Sequence, residues 1–281
     1  MSQLLRCNKN QIERVEFNSL SEIPGWIDAH PREMSCRDSE TYPSTLRWDR
    51  NTNYDAALEI VKRGGLWEEG GKALKEATLK MADLKVQGRV PALDNDVCGF
   101  MPDVPAFLSG DPCSMWNDSE SEVEQSPIIT VGVSLGQSAS VSSGQAFNYG
   151  AAVMSVVDEL ENKGVRVELW GCYANSSISG GSDFRVLLKA ADEHWSPNSV
   201  AFALCHSAMN RRIMFRVVES FGRLTRFAVT CGRGYDLYGE FDIWFHYLLG
   251  SDSEWSSDPE SAMKYVSGLA QGQLDNRKEA A

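Results

Sequence analysis

The stretch from Pro127 to Cys172 constrains the fold of this chain more than any other. It opens on a near-continuous apolar run, Ile128 to Ser134. A strand buried on both faces of a parallel sheet reads this way, because neither face meets water. A Gly/Ser-rich loop, Leu135–Gly144, follows. A helical pattern then runs from about Gln145 to Lys163, with Ala152, Val156, Val157 and Leu160 as its stripe and Gly164 as its stop. A second run, Val165 to Cys172, alternates apolar residues at Val165, Val167 and Leu169. Strand, helix and strand in this order predict a βαβ-like unit. The fold class that follows is α/β, with a mostly parallel sheet.

The rest of the chain is read against that unit. The loop from Tyr173 to Asp183 predicts a hairpin connection to a strand over Phe184–Ala190, antiparallel to its predecessor. A long helix is expected from about Asn198 to Phe221, a strand over Arg226–Cys231 and a Gly-rich turn over 232–240. Phe241–Leu249 reads as a further strand, and Ser257 or Asp258 caps a last helix ending near Ala270. Upstream, Val15–Phe17 is a short strand candidate, with a weak helix beyond Ser19 or Ser21. Helices are expected over Tyr54–Arg63, capped by Thr52 or Asn53, and from about Glu68 to Gln87. Residues 89–116 are interrupted by Pro and Gly, with one helical turn at Val104–Ser109, and the acidic stretch 117–126 reads as a linker. The predicted organisation is an N-terminal helical and irregular region, 1–126, packing on an α/β domain, 127–281.

Composition narrows the function classes. Apolar residues make up 42% and charged residues 23% of the 281 residues, as in globular domains. No apolar run reaches the roughly 20 residues of a membrane span. The N-terminus lacks the apolar core of a signal peptide, so a cytoplasmic protein is expected, in a host cytoplasm if the chain is viral. A net charge of −12 repels phosphate backbones and disfavours a role in coating nucleic acid. The seven cysteines include no C-x-x-C spacing, which points to reduced thiols rather than a zinc ribbon.

The element order from residue 127 to 271 resembles the von Willebrand factor A domain, which implies a doubly wound, mostly parallel α/β sheet of Rossmann-like type. In that family the first strand ends in D-x-S-x-S, a later strand ends in T-D-G or similar, and these residues hold Mg²⁺. Here the matching residues are Gly136-Gln137-Ser138-Ala139-Ser140 and Thr230-Cys231-Gly232. Ser138, Ser140 and Thr230 fit the pattern, but Gly136 and Cys231 stand at the acidic positions. Mg²⁺ is normally held by carboxylates, so the resemblance implies a degenerate site with no metal and no cofactor. The chain also resembles an uncharacterised family carried by bacteriophages and some bacteria. That likeness rests on Asp103-Val104-Pro105-Ala106-Phe107-Leu108-Ser109-Gly110-Asp111-Pro112 with Met115, on Val165–Trp170, and on Met209-Asn210-Arg211-Arg212.

Three further patterns carry chemistry. Gly132-Val133-Ser134-Leu135-Gly136 matches G-x-S-x-G after a strand, although about nine residues separate Ser134 from the next helix. A triad would need Asp183 or Asp236 together with His246. The loop from Gly136 to Gly144 is a candidate nest of backbone N–H groups for an anion. Arg211, Arg212, Arg216, Arg223, Arg226 and Arg233 concentrate positive charge, either for an acidic or phosphate-bearing partner or for local pairing with Glu219, Asp236 and Glu240.

The function these features favour is a non-catalytic protein-interaction module, a phage-encoded accessory or assembly factor. Its contacts would be Ser138, Ser140, Thr230, Arg211, Arg212, Arg216 and Arg233. The A-domain resemblance implies an AAA+ ATPase as partner and the likeness to the phage-borne family a phage protein; the lack of a long apolar run gives no expectation of a membrane. The alternatives are a serine hydrolase using Ser134, Asp236 and His246, or nucleic-acid binding through the arginine cluster.

Overall fold

The computed structural model describes residues 4–7, 12–32, 38–41, 43–45, 49–82, 94–96, 101–102, 104–110, 112–117, 128–138, 141–177, 180–220, 240–246 and 258–280. The predicted strand over Arg226–Cys231 and the turn after it lie outside the described residues, as do Ser140, Arg223, Thr230, Arg233 and Asp236.

Nine strands are described, six of them in one mixed sheet. In chain order they are β1 (Leu4–Cys7), β2 (Ile12–Phe17), β3 (Asp94–Asp96), β4 (Met101–Pro102), β5 (Met115–Asn117), β6 (Ile128–Ser134), β7 (Arg166–Ser177), β8 (Gly180–Lys189) and β9 (Ile243–Phe245). The large sheet has the order β1-β2-β8-β7-β6-β9. Pairs β2/β8, β6/β7 and β6/β9 are parallel, and β1/β2 and β7/β8 are antiparallel. The α/β class, the limits of β6 and the antiparallel return of β8 therefore stand as the sequence predicts. The sheet also takes two strands from the N-terminal segment, where the sequence suggested one short strand. Val15 and Phe17 are the buried half of β2 and pack in the same core as Phe184 and Val186 of β8.

The helices follow from caps and stripes. They are α1 (Glu22–Ala29), α2 (Asp38–Thr41), α3 (Tyr54–Lys62), α4 (Glu68–Ala82), α5 (Val104–Leu108), α6 (Ser143–Asn162), α7 (Pro197–Val200), α8 (Phe215–Val218) and α9 (Pro259–Ala280). Asn53 caps α3, its side chain accepting from the Ala56 amide at 2.9 Å. Ser142 and Gln145 form a reciprocal capping box at α6. Gly164, at φ +79°, turns the chain out of α6 in the left-handed region. Asp258 accepts from the Ser261 amide at 2.9 Å and starts α9, which continues ten residues past the expected Ala270.

One face of the sheet holds the core. Val15, Phe17, Val131, Val133, Val167, Leu169, Phe184, Val186, Ile243 and Phe245 point into it, beneath side chains from α1, α3, α4, α6 and α9. Trp26 of α1 meets Phe17 and Phe184 edge-on.

The long helix expected at Asn198–Phe221 is instead broken. It runs through α7, a π-helical turn π1 (Ala201–Cys205), an extended His206 and a second π-helical segment π2 (Met209–Met214) before α8. Every residue from 200 to 220 is buried. A helix surrounded on all sides has no solvent stripe to hold it to one register. At the break the Ala208 amide donates to His206 Nδ1 at 3.1 Å, replacing a lost helical bond. At Gly150 of α6 an added Cβ would lie 2.3 Å from Cys205 Sγ, so glycine there permits α6 and π1 to touch.

Buried ion pairs fasten this broken helix to the N-terminal segment. Arg212 donates to Asp49 Oδ2 and Ser44 Oγ, both at 2.8 Å, to Ser39 O at 3.1 Å and to Thr52 O at 3.2 Å. Glu219 accepts from the Ser39 amide, from Ser39 Oγ and from Arg32 Nε. Asp49→Ala should cost about 3–5 kcal/mol in urea unfolding, because it strands a charge in the interior. Lys62→Ala, which removes an exposed pair with Glu59, should cost at most about 1 kcal/mol. Equal costs for the two would contradict the assignment.

Candidate functional site

In an open α/β sheet, ligands favour the carboxyl ends of strands where the order reverses. Here that place is the end of β6, which has β7 on one side and β9 on the other. Ser134 closes β6, and the Leu135 amide donates to Cys172 O at 2.7 Å, holding the loop to β7. The following turns are engaged internally. The Gly136 amide donates to Ser134 Oγ at 3.3 Å, and the Val141 amide to Ser138 O at 3.1 Å. The amides of Ser142 and Gln145 are taken up by the capping box. The anion nest read from Gly136–Gly144 is therefore corrected at these four amides, which are bonded within the loop.

From the core side, π2 braces the same loop. Gln137 O accepts from Arg211 Nη2 at 2.8 Å and from Asn210 Nδ2 at 3.4 Å. Arg211 also lies over the Phe215 ring at 5.5 Å. Arg216 donates to Ser220 Oγ at 2.6 Å, to His30 O at 3.0 Å and to Ile27 O at 3.1 Å, and burial lowers its pKa. Arg211, Arg212 and Arg216 are 3%, 1% and 6% exposed, so the partner-binding and nucleic-acid readings of these three are corrected. Their guanidiniums face main-chain oxygens and carboxylates of the protein's own interior, where no phosphate reaches. Arg212 pairs with a carboxylate, the distant Asp49 rather than a local acid; Glu219 pairs with Arg32, and Glu240 with Arg14 and Arg185.

Asp183, one proposed triad acid, is also accounted for. It sits on the sheet's second face, accepting from Arg14 Nε at 2.7 Å and Arg185 Nη2 at 2.8 Å. Beside it Glu240 bonds to both arginines. These contacts hold the Glu240 carboxyl below its ordinary range against the opposing effect of burial. Next along the chain, the Phe241 ring lies over Gly132, where an added Cβ would meet it at 2.5 Å. Phe241 also stacks on Trp244 and lies under Arg185. Residues 240–242 thus form a latch across the second face, closed by Asp242 accepting from Thr130 Oγ1 at 3.0 Å. His246 follows β9, its carbonyl accepting from Tyr149 Oη at 3.1 Å.

Two buried thiols, in separate clusters of the interior, and a buried imidazole are held neutral. Burial pushes the Cys172 thiol well up and the Cys205 thiol up to about 12. Burial, then Arg50, pushes His206 down to about 3. Its Nε2 faces Thr52 Oγ1 at 3.4 Å and Trp67 meets its ring edge-on, an arrangement that seats a neutral imidazole. Among the described residues no group of three or more His, Cys, Asp or Glu is placed to hold a metal ion.

A second place stands out by exposure. β3, β4 and β5 form a separate antiparallel sheet, in which β4 and β5 pair and α5 lies in their connection. Val104, Phe107 and Leu108 fall at i, i+3 and i+4, on one face of a single helical turn. They are 56%, 68% and 79% exposed. Gly110 ends the turn in the left-handed region at φ +78°, its amide donating to Phe107 O at 3.1 Å. Such a cluster of large apolar side chains in water marks an interaction surface more often than a single exposed residue does. The sequence placed this helical turn correctly but gave no sign that its apolar face would point outward.

Two measurements check these environments. At pH 8, Cys113, which is half-buried, should alkylate in the folded protein while Cys172 and Cys205 resist until it unfolds. Rapid native labelling of Cys172 would contradict its burial. His206, whose folded pKa lies below the unfolded value of about 6.5, stabilises the fold fully above that pH. Its contribution should fall by about 1.4 kcal/mol per pH unit as pH drops from there towards 3. A His206→Gln variant should lose that part of the slope; an unchanged slope would contradict a buried neutral imidazole.

No curated protein and no solved structure matches this chain. A family model described as a domain of unknown function (DUF7192) matches residues 6–266, nearly the whole length, and the chain belongs to that family.

Proposed function

We propose that this protein is a non-catalytic protein-interaction module, an accessory or assembly factor of a phage or its bacterial host, and that it docks through the α5 turn. The observation that carries the proposal is the joint exposure of Val104, Phe107 and Leu108 on one face of that turn. Burying a side chain of this size against a partner contributes about 1.5–3 kcal/mol. A helical turn with anchors at i, i+3 and i+4 is the smallest form of helix-in-groove recognition. The connection 103–114 is long for a two-strand hairpin, and long ordered loops of this kind are often functional.

The state of the reactive groups supports the non-catalytic half of the reading. Cys172, Cys205 and His206 are buried and held neutral, and Asp183 is occupied by two arginines. The same proposal takes the sheet as a degenerate A-like domain. In support, β6, α6 and β7 make a parallel crossover followed by an antiparallel β8. Gly136 stands where that family has an acid. The extension of the sheet through β2 and β1 is a departure from the half-chain likeness.

A photo-crosslinking residue placed at Phe107 in the full-length chain, expressed in native cells, should give a discrete protein adduct. The same residue at Lys62, on α3, should not. Absence of any adduct from position 107, or identical adducts from both positions, would sink the proposal. Phe107→Asp and Leu108→Asp should abolish partner capture and leave the Tm within about 2 °C, since exposed substitutions change stability little.

A further inference from the structure

We infer that the surface receiving the α5 turn is a protein surface with an apolar pocket rimmed by lysine and arginine; the inference rests on the docking role proposed above. Its ground is charge. From residue 90 to 162 the sequence contains no Lys, Arg or His, and the segment 94–124 contains eight Asp and Glu. Eight acidic and no basic residues give that segment a formal charge of −8, against −12 for the whole chain of 281. Asp103 directly precedes Val104, and Asp111 follows Leu108 by three positions. The exposed apolar triad therefore sits in the middle of the most acidic part of the chain.

These two features have different physical effects on a partner. The apolar triad supplies contact area that is released from water on docking. The carboxylates that flank the triad in the sequence act over a Debye length of about 8 Å at physiological ionic strength. They repel acidic surfaces, nucleic acid and anionic membranes, and they steer the turn towards positive ones. An apolar pocket in an acidic or neutral surface would meet the same anchors but gain nothing from the charge. A plain basic surface without a pocket would leave Phe107 and Leu108 in water. Only the combination uses both.

The test is a selection from a random peptide display library against the immobilised full-length protein, at low and at physiological salt. Enriched peptides should combine Lys or Arg with Leu, Phe or Trp. Their affinity for Phe107→Ala should fall about thirtyfold or more, as for an anchoring side chain. Their association rate should fall several-fold with Asp103→Asn/Asp111→Asn and with added salt, as for a steered encounter. Peptides that depend on Phe107 but carry no basic residues and show no salt dependence would overturn the basic rim while leaving the docking role intact. Peptides that bind the Phe107→Asp/Leu108→Asp variant as well as the parent, or a library that yields no binder, would overturn both. Circular dichroism of each variant secures the comparison, and Phe107 and Leu108 are exposed in the folded chain.

Discussion

The buried Arg212 guanidinium is the constraint on which the rest of the arrangement depends. An unpaired ion in the interior costs several kcal/mol, so each of its three nitrogens must find an oxygen. Arg212 meets this by drawing in Asp49 and Ser44 side chains and the carbonyls of Ser39 and Thr52. Ser39, Ser44, Asp49 and Thr52 are fixed against π2 by these bonds. Glu219 does the same in the opposite sense, collecting Arg32 and the amide and hydroxyl of Ser39. The two buried ions lie on one broken helix and share Ser39, so the N-terminal segment and the helix over the sheet behave as one packed body.

That arrangement settles which chemistry remains available at the surface. Arg211, Arg212 and Arg216 are used up inside, and the loop after β6 is braced from within by Arg211 and Asn210. On the second face of the sheet, two arginines and two carboxylates neutralise each other around Asp183. Phe241 fills the groove over Gly132. The α5 turn contrasts with all of these, since its large apolar side chains point into water.

Much of the fold was legible because it depends on local patterns. The apolar run at Ile128–Ser134, the caps at Asn53 and Asp258 and the hairpin into β8 each carry their signal within a few residues. The broken helix was not legible, because His206, Asn210, Arg211, Arg212 and Arg216 read in sequence as a solvent-facing side, whereas every residue from 200 to 220 is buried. Nor was the joining of β2 to the large sheet, since its partner β8 lies far along the chain. The candidate site was legible only in part. Charge clustering at Arg211, Arg212 and Arg216 is visible in sequence, but whether a guanidinium faces water or a carbonyl is decided by tertiary packing. For Val104, Phe107 and Leu108 the sequence shows the helical spacing, while exposure appears only once the surrounding chain is in place.

The central claim is that the arginine-bearing helix is interior and the α5 turn is the outward apolar surface. Hydroxyl-radical footprinting of the free, folded protein tests it in one measurement. Phe107 and Leu108 should be oxidised rapidly, whereas Met209, Met214 and Phe215, intrinsically reactive but buried, should remain protected until the protein unfolds. Fast oxidation of Met209 and Met214 in the native state, with Phe107 protected, would contradict the account.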